Sequence, residues 1–171
     1  MDLITALGRL LHDGRLRDAF AAAPNDVMER LGVRAADRRS LLAISPVELE
    51  CQAKVLLRKR FDAIAHFIPE TISILGERAW PAFQDYGRQY WPEGANKELQ
   101  DVTQFMRHCT RLYRNDVSVR ELNKLAFISS RRLAGLHWVN DLPFRNRKCR
   151  GLQILIRRNG RCSETILLLA L

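Results

Sequence analysis

The pair Asn159-Gly160 near the C-terminal end of the chain limits the possible backbone conformations more than any other short motif of the sequence. A two-residue type I′ turn needs positive φ at both central positions, and Asn-Gly tolerates this better than other pairs. Strand-like runs flank the pair, at residues 152–158 and 161–169. The sequence therefore predicts an antiparallel hairpin near the C-terminal end of the chain.

A third candidate strand, residues 133–139, precedes the hairpin. Residues 164–169 are apolar on both faces, which is typical of a strand that is covered on both sides. We therefore expect residues 164–169 at the centre of a three-stranded sheet, with residues 133–139 and 152–157 as its free edges. A free edge can accept an extended peptide by strand addition.

The first 130 residues show helical periodicity interrupted by proline and glycine, which predicts a helical body. Ser45 and Glu48 form a capping box with Pro46 at the first helical position, and Ser118 and Glu121 form a second box. Residues 141–150 are expected to form a loop. The predicted class is α+β, mostly α, with a helical body over residues 1–130 and a basic β-unit over residues 131–171.

The net charge of +9 is concentrated in the β-unit. Residues 131–161 contain nine basic residues and a single acid, whereas residues 1–130 contain nineteen basic and seventeen acidic residues. This pattern favours an acidic or anionic partner, and its alternative is an arginine-rich solvated surface. The residues expected to form the charged partner patch are Arg145, Arg147, Lys148, Arg150, Arg157 and Arg158.

No pattern in the sequence indicates catalysis. We find no glycine-rich phosphate loop, no nucleophile elbow and no zinc spacing among the histidines and the four dispersed cysteines. We therefore expect no catalytic residue, metal ligand or cofactor in this chain.

The sequence also lacks an apolar run of about 20 residues and begins without signal-peptide character, which predicts a cytoplasmic protein without a membrane partner.

Several short stretches in the first two-thirds carry a resemblance to a known family. They are Leu16-Arg-Asp-Ala-Phe, Pro24-Asn-Asp-Val, Leu31-Gly-Val, Leu56-Leu-Arg-Lys-Arg-Phe, Phe67-Ile-Pro-Glu-Thr, Trp80-Pro-Ala-Phe-Gln-Asp-Tyr and Trp91-Pro. In these stretches the chain resembles the MbnC-like partner subunits of multinuclear non-haem iron oxidases, which modify ribosomally made peptides in methanobactin biosynthesis. The partner subunit of the thiaglutamate pathway is a close relative.

The resemblance implies a non-catalytic subunit of a heterodimer. The iron then lies in an MbnB-like TIM-barrel oxidase, which uses dioxygen to convert precursor cysteines into oxazolone and thioamide groups. The subunit described here recruits the leader of the precursor peptide by β-strand addition. The residues expected to bind the peptide are Leu133, Gly135, His137, Val139, Leu152, Ile154 and Ile156.

The alternative from a different functional class is a nucleic-acid-binding regulator, because helices followed by a basic hairpin superficially resemble a winged helix. The helix before the sheet offers Asn123, Lys124 and Ser129 for reading bases, without a dense basic face. Nucleic acid is therefore the less favoured partner.

Overall fold

The computed structural model describes residues 1–114, 116–144 and 147–169, and for residues 141, 143, 144, 147 and 148 it describes the backbone alone. The fold is α+β, with helices followed by a three-stranded antiparallel sheet, as the sequence predicts. The helices are α1 (Leu3–His12), α2 (Gly14–Ala22), α3 (Pro24–Arg30), α4 (Ala35–Leu42), α5 (Pro46–Ala65), α6 (Pro69–Leu75), α7 (Ala79–Gln89), α8 (Lys97–Leu112) and α9 (Val119–Ser129). The strands are β1 (Ala134–Phe144), β2 (Arg147–Arg158) and β3 (Arg161–Leu169).

The chain divides into two compact units. The helical unit comprises Met1–Ile64 and Glu77–Ala95, and the sheet unit comprises Ala65–Gly76 with the described residues of Asn96–Leu171. This division differs from the predicted boundary at residue 130, because α6, α8 and α9 belong with the sheet.

The helical unit is built on amphipathic helices that enclose a buried core cluster. The longest of them, α5, begins at the predicted capping box: the hydroxyl of Ser45 accepts from the N–H of Val47, and the N–H of Ser45 donates to the carboxylate of Glu48. Both bonds satisfy donors that the first turn of a helix leaves without intrahelical partners. The core cluster consists of Ala6, Leu10, Phe20, Val27, Met28, Val33, Leu41 and Leu49.

In the sheet unit, Ser118 is the N-cap of α9, and its hydroxyl accepts from the N–H of Glu121 as predicted. The other half of the predicted box is wrong. The carboxylate of Glu121 accepts instead from the N–H groups of Glu70 and Thr71 at the start of α6, while the N–H of Ser118 donates to the hydroxyl of Thr71. A buried carboxylate thus caps a second helix, whose first-turn N–H donors would otherwise lack partners.

The sheet is an antiparallel meander in the order β1-β2-β3. Asn159 and Gly160 join β2 to β3 with φ values of 51° and 74°, and Arg158 pairs with Arg161 across the turn. Positive φ at both positions is what a type I′ turn requires.

Two sequence predictions about the sheet are wrong. First, β2 and not β3 is the central strand, because consecutive hairpins place the middle strand of the chain between its neighbours. Second, residues 141–144 and 147–150 lie in strands and not in a loop, because β1 continues to Phe144 and β2 begins at Arg147; residues 145 and 146 lie outside the described residues. A register shift between Val139 and Leu142 inserts one extra residue in β1, and such a bulge lets the pairing continue beyond it.

Helix α9 packs against one face of the sheet, contacting β1 and β2. Side chains of alternate residues point to this covered face, where Val139, Gly151, Gln153 and Leu155 are buried. The opposite face carries the other residues of each strand and remains exposed or half-buried. Strand β3 is apolar on both faces, but only one of them is covered by α9. Its other face is part of an exposed apolar surface.

Along the described stretches of the chain, no helix combines the length and the apolar character needed to cross a membrane.

Candidate functional site

The exposed side of the sheet is the main candidate site, and we call it the open face. Its apolar residues come from all three strands and pair across them, since Leu136 lies opposite Ile154, and Leu152 lies between Trp138 and Leu167. Its apolar members are Ala134, Leu136, Trp138, Leu152, Ile154, Ile156, Leu167 and Leu169.

When one side of an antiparallel sheet is solvated, the residues on that side are normally polar. On the open face they are mainly apolar. Leu136 is 66% exposed and Trp138 is 54% exposed, and Ile156 and Leu167 are each 49% exposed. The indole N–H of Trp138 donates to Asn140 over 2.8 Å, so the polar group of this ring already has an acceptor. Contiguous apolar surface of this kind marks an interaction site more often than single exposed apolar residues do.

The edge of β1 adds main-chain groups to this surface. The carbonyl oxygen of Leu133 accepts from the N–H of Arg157 at 2.8 Å, which makes this a hydrogen-bonded pair. Hydrogen-bonded and non-hydrogen-bonded pairs alternate along an antiparallel ladder. The N–H and C=O groups of Leu136 and Trp138 therefore point away from β2, and within the described residues β1 has no second neighbouring strand.

The structure separates the predicted peptide-binding residues into two groups. Gly135, His137 and Val139 lie on the covered face, and Val139 is buried. A Cβ at Gly135 would lie 3.1 Å from the ring of Phe127, so the glycine allows close approach of α9 to β1. The side chains of His137 and Val139 are therefore turned towards α9 and away from the open face.

The other group lies on or beside the open face. Leu152, Ile154 and Ile156 share that face as the sequence predicts, but their strand is central, so β2 cannot accept an added strand as a free edge. Leu133 precedes β1 and is exposed. Of the two edges predicted from the sequence, only that of β1 is an edge of the sheet.

The predicted charged patch is also divided. Arg150 and Arg158 are exposed on the open face, where Arg161 accompanies them. The guanidinium of Arg157 donates to the carbonyls of Phe127 and Ile128, both at 2.9 Å, and so caps the C-terminal end of α9.

The remaining patch residues are less fully described. Arg147 and Lys148 lie in β2 with only their backbone described, and Arg145 lies outside the described residues.

A buried glutamine that the sequence analysis missed ties α9 to the sheet. The side chain of Gln153 is fully buried in β2. Its oxygen accepts from Asn123 at 3.1 Å, and its nitrogen donates to the carbonyl of Arg120 at 2.9 Å and to Glu164 at 3.0 Å. The one signal in the sequence was the position of a glutamine within the apolar run 152–156. The amide of a glutamine buried there needs several hydrogen-bond partners.

The same contacts bear on the nucleic-acid alternative. Asn123 is bonded to Gln153, and Lys124 lies 3.4 Å from the carboxylate of Glu164. Both side chains therefore face the sheet, away from any surface on which α9 would read bases.

The helical unit contains a separate open cleft with a volume of about 390 Å³. The ring of His12 stacks on Trp91 with a centroid distance of 3.8 Å, and burial lowers the pKa of His12. Arg88 is engaged by the carboxylates of Asp18 and Glu50. The cleft combines no nucleophile with a base, and its lining residues are His12, Asp13, Arg15, Arg88, Gln89 and Trp91.

The cysteines and the possible metal-ligating side chains of the described residues are dispersed. All four cysteines are free thiols, and burial raises the pKa of Cys109 to about 12. Among the described side chains, no three His, Cys, Asp or Glu residues are grouped so that they would hold a metal ion.

Comparison with known protein families matches part of the chain. Residues 44–111 are similar to the family described as SCO6045-like, C-terminal domain. The matched segment runs from just before α5 to the end of α8 and does not include the sheet. Searches of curated proteins and of solved structures gave no significant match.

Proposed function

We propose that this chain is a non-catalytic partner subunit that recruits a ribosomally made precursor peptide to an iron-dependent, MbnB-like oxidase. In this role the chain is MbnC-like and works in the cytoplasm. The oxidase holds the iron and oxidises precursor cysteines, as in the methanobactin pathway, and this chain binds the leader of the precursor. The observation that carries the proposal is the edge of β1, which combines outward main-chain groups with exposed apolar side chains.

Strand addition accounts for affinity and specificity through different groups. An extended leader that pairs with β1 would bond the outward N–H and C=O groups of Leu136 and Trp138, which supply affinity independent of sequence. Every second side chain of the added strand would lie beside those two residues on the open face, and these contacts supply specificity.

By binding the leader, this chain would raise the effective concentration of the precursor at the active site of the oxidase. A leader held on β1 keeps the adjacent core of the precursor near the active site of the oxidase, at an effective concentration of about 1 mM for a short flexible link. The chain then needs no catalytic residue of its own, since it selects the substrate and the oxidase supplies the chemistry.

The test begins with co-expression of this chain with an MbnB-like oxidase and its precursor peptide. We expect the two proteins to elute together from size-exclusion chromatography, with iron in the complex and none on this chain alone. A chain that elutes alone beside the oxidase and shifts DNA at low salt would overturn the proposal in favour of the nucleic-acid-binding regulator.

The β1 edge is tested by two substitutions at one position. Leu136→Pro removes the outward N–H and leaves the pairing with β2 intact, because proline is tolerated at the outward positions of an edge strand. Leu136→Ala removes most of the side chain and keeps the N–H. We expect the proline variant to bind a labelled leader peptide about tenfold more weakly than the alanine variant does, because it alone lacks this main-chain donor. Equal affinities would rule out strand addition at β1.

A further inference from the structure

We propose that the open face binds an acidic amphipathic α-helix of a partner protein. This inference concerns side chains on the face of the sheet, whereas peptide recruitment concerns the main-chain edge of β1. The two proposals share Leu136 and Trp138, so the variants that test this inference lie on β2 and β3.

The first argument is that the open face lacks the covering layer that its composition requires. Sheets with two apolar faces normally pack a helix or a second sheet on each of them. Helix α9 covers one face of this sheet, with Phe127 close to β1 and Gln153 bonded to the backbone of Arg120. The opposite face exposes apolar side chains of all three strands, so a second helix would complete a three-layer arrangement.

The second argument is charge. Three arginines flank the apolar stripe: Arg150 lies beside Leu169 at one end, and Arg158 and Arg161 pair at the hairpin end. Among the side chains described on this face, none is acidic. An apolar surface bounded by positive charge at both ends is complementary to an apolar helix face bounded by carboxylates.

The spacing of these charges suits one helix. Arg158 lies eight positions after Arg150 along β2, a distance of about 26 Å at strand spacing. A helix of about 17 residues spans the same distance. Acidic residues near both ends of such a helix would therefore meet arginines of the open face.

A second copy of this chain is a poorer occupant of the same surface. Two open faces brought together would place three arginines of one copy against three of the other, and neither face would contribute a described acid. Like charges across an interface disfavour association. The charge distribution therefore selects a partner of different composition.

A designed peptide tests the inference on the full chain. The probe is a fluorescently labelled helix of about 18 residues with leucines along one face and glutamates on both sides of them. A matched peptide carries lysine in place of every glutamate. We expect the acidic peptide to bind about tenfold more tightly than the basic peptide at low salt, and the difference to shrink as salt is added.

Substitutions on the open face test whether the acidic peptide binds there. Ile156→Thr keeps a β-branched side chain and Leu167→Thr introduces one, both in strands other than β1, and Arg158→Glu reverses one flanking charge. Each is expected to weaken binding of the acidic peptide about fivefold or more, by loss of apolar contact or of charge complementarity. Controls on the helical unit, Val47→Thr and Lys54→Glu, alter exposed residues of α5 and should leave binding unchanged. Thermal unfolding monitored by circular dichroism verifies that each variant is folded.

Three results would overturn the inference. One is the absence of acidic-peptide binding at concentrations up to about 1 mM, the range of weak association. Another is a concentration-dependent dimer that Leu167→Thr abolishes, which would make a second copy the occupant. The third is binding to phosphatidylserine vesicles that the same variants abolish, without preference between the two peptides, which would identify a membrane surface.

Discussion

The carboxylate of Glu121 accepts a hydrogen bond of 2.9 Å from the backbone N–H of Thr71, a residue fifty positions earlier in the chain. Its other oxygen accepts from the N–H of Glu70 at 2.8 Å. One side chain at the start of α9 thereby holds the first turn of α6. Because Glu121 is only 4% exposed, water cannot replace these bonds if the carboxylate is removed.

The first prediction is that Glu121→Ala lowers the free energy of unfolding by about 2–4 kcal/mol, because two backbone donors lose their charged acceptor. Glu121→Gln retains one acceptor oxygen and should cost about half as much. Urea unfolding followed by circular dichroism measures both values.

A matched control for this series is Glu98→Ala, which removes an exposed glutamate from the first turn of α8. It should change the free energy of unfolding by about 0.5 kcal/mol or less. If the two alanine variants were equally stable, the capping role of Glu121 would be refuted.

The second prediction concerns pH. Burial raises the pKa of Glu121 above its ordinary value, although the hydrogen bonds from Thr71 and Glu70 act in the opposite direction. A carboxyl group whose pKa is higher in the folded state contributes most stability below the unfolded-state pKa, and this contribution is lost as pH rises through the folded-state value. The loss of stability caused by Glu121→Gln should therefore be larger near pH 4 than near pH 7.

Urea unfolding of the wild type and of Glu121→Gln at several pH values between about 4 and 7 measures this difference. The Glu98→Ala variant, compared in the same way, corrects for the general effect of losing one carboxylate. A loss that grows with pH would mean that the hydrogen bonds outweigh burial and that the folded-state pKa is lowered.

The third prediction is that the thiols differ sharply in reactivity. Burial raises the pKa of Cys109 to about 12, so its thiolate fraction at pH 8 is about 1 in 10,000. Cys51 is exposed on α5 and should react first with a disulfide reagent. Ellman's reagent should leave one thiol untitrated in the native protein and reach it only after unfolding.

Two variants identify the cysteine behind each phase of the reaction with Ellman's reagent. Cys51→Ser should remove the fastest phase, and Cys109→Ala should remove the thiol that appears on unfolding. Rapid reaction of all four thiols in the folded protein would contradict the burial of Cys109.

Local features of the fold were predictable from the sequence, because they depend on neighbouring residues. The Asn159-Gly160 turn and the Ser45–Glu48 capping box depend on backbone angles and donors within four residues, and the structure contains both. The partner of Glu121 was not predictable, since nothing local distinguishes a carboxylate that caps its own helix from one that caps α6.

The predicted position of β3 at the centre of the sheet is wrong for a related reason. The apolar pattern of β3 reports how much apolar surface the strand carries, and it does not report what covers that surface. Both Ile166 on the covered face and Leu167 on the open face are apolar, but Leu167 is half exposed. Predicting a central strand from two apolar faces assumed that both faces are covered within this chain.

The last prediction concerns Gly151, which lies buried in β2 between its two neighbouring strands. A Cβ at this position would lie 2.5 Å from a methyl group of Leu142 and 2.8 Å from the carbonyl oxygen of Leu167. The methyl group can move, but the carbonyl belongs to the backbone of β3, so the ladder itself must shift. We expect Gly151→Ala to destabilise the protein by about 1–3 kcal/mol.

Gly8→Ala is the matched control, because a Cβ in α1 meets nothing within 4 Å. This substitution should stabilise the helix by about 0.5–1 kcal/mol. Urea unfolding of both variants measures this contrast in sign, and a stabilising Gly151→Ala would show that β2 and β3 are not packed as closely as the structure places them.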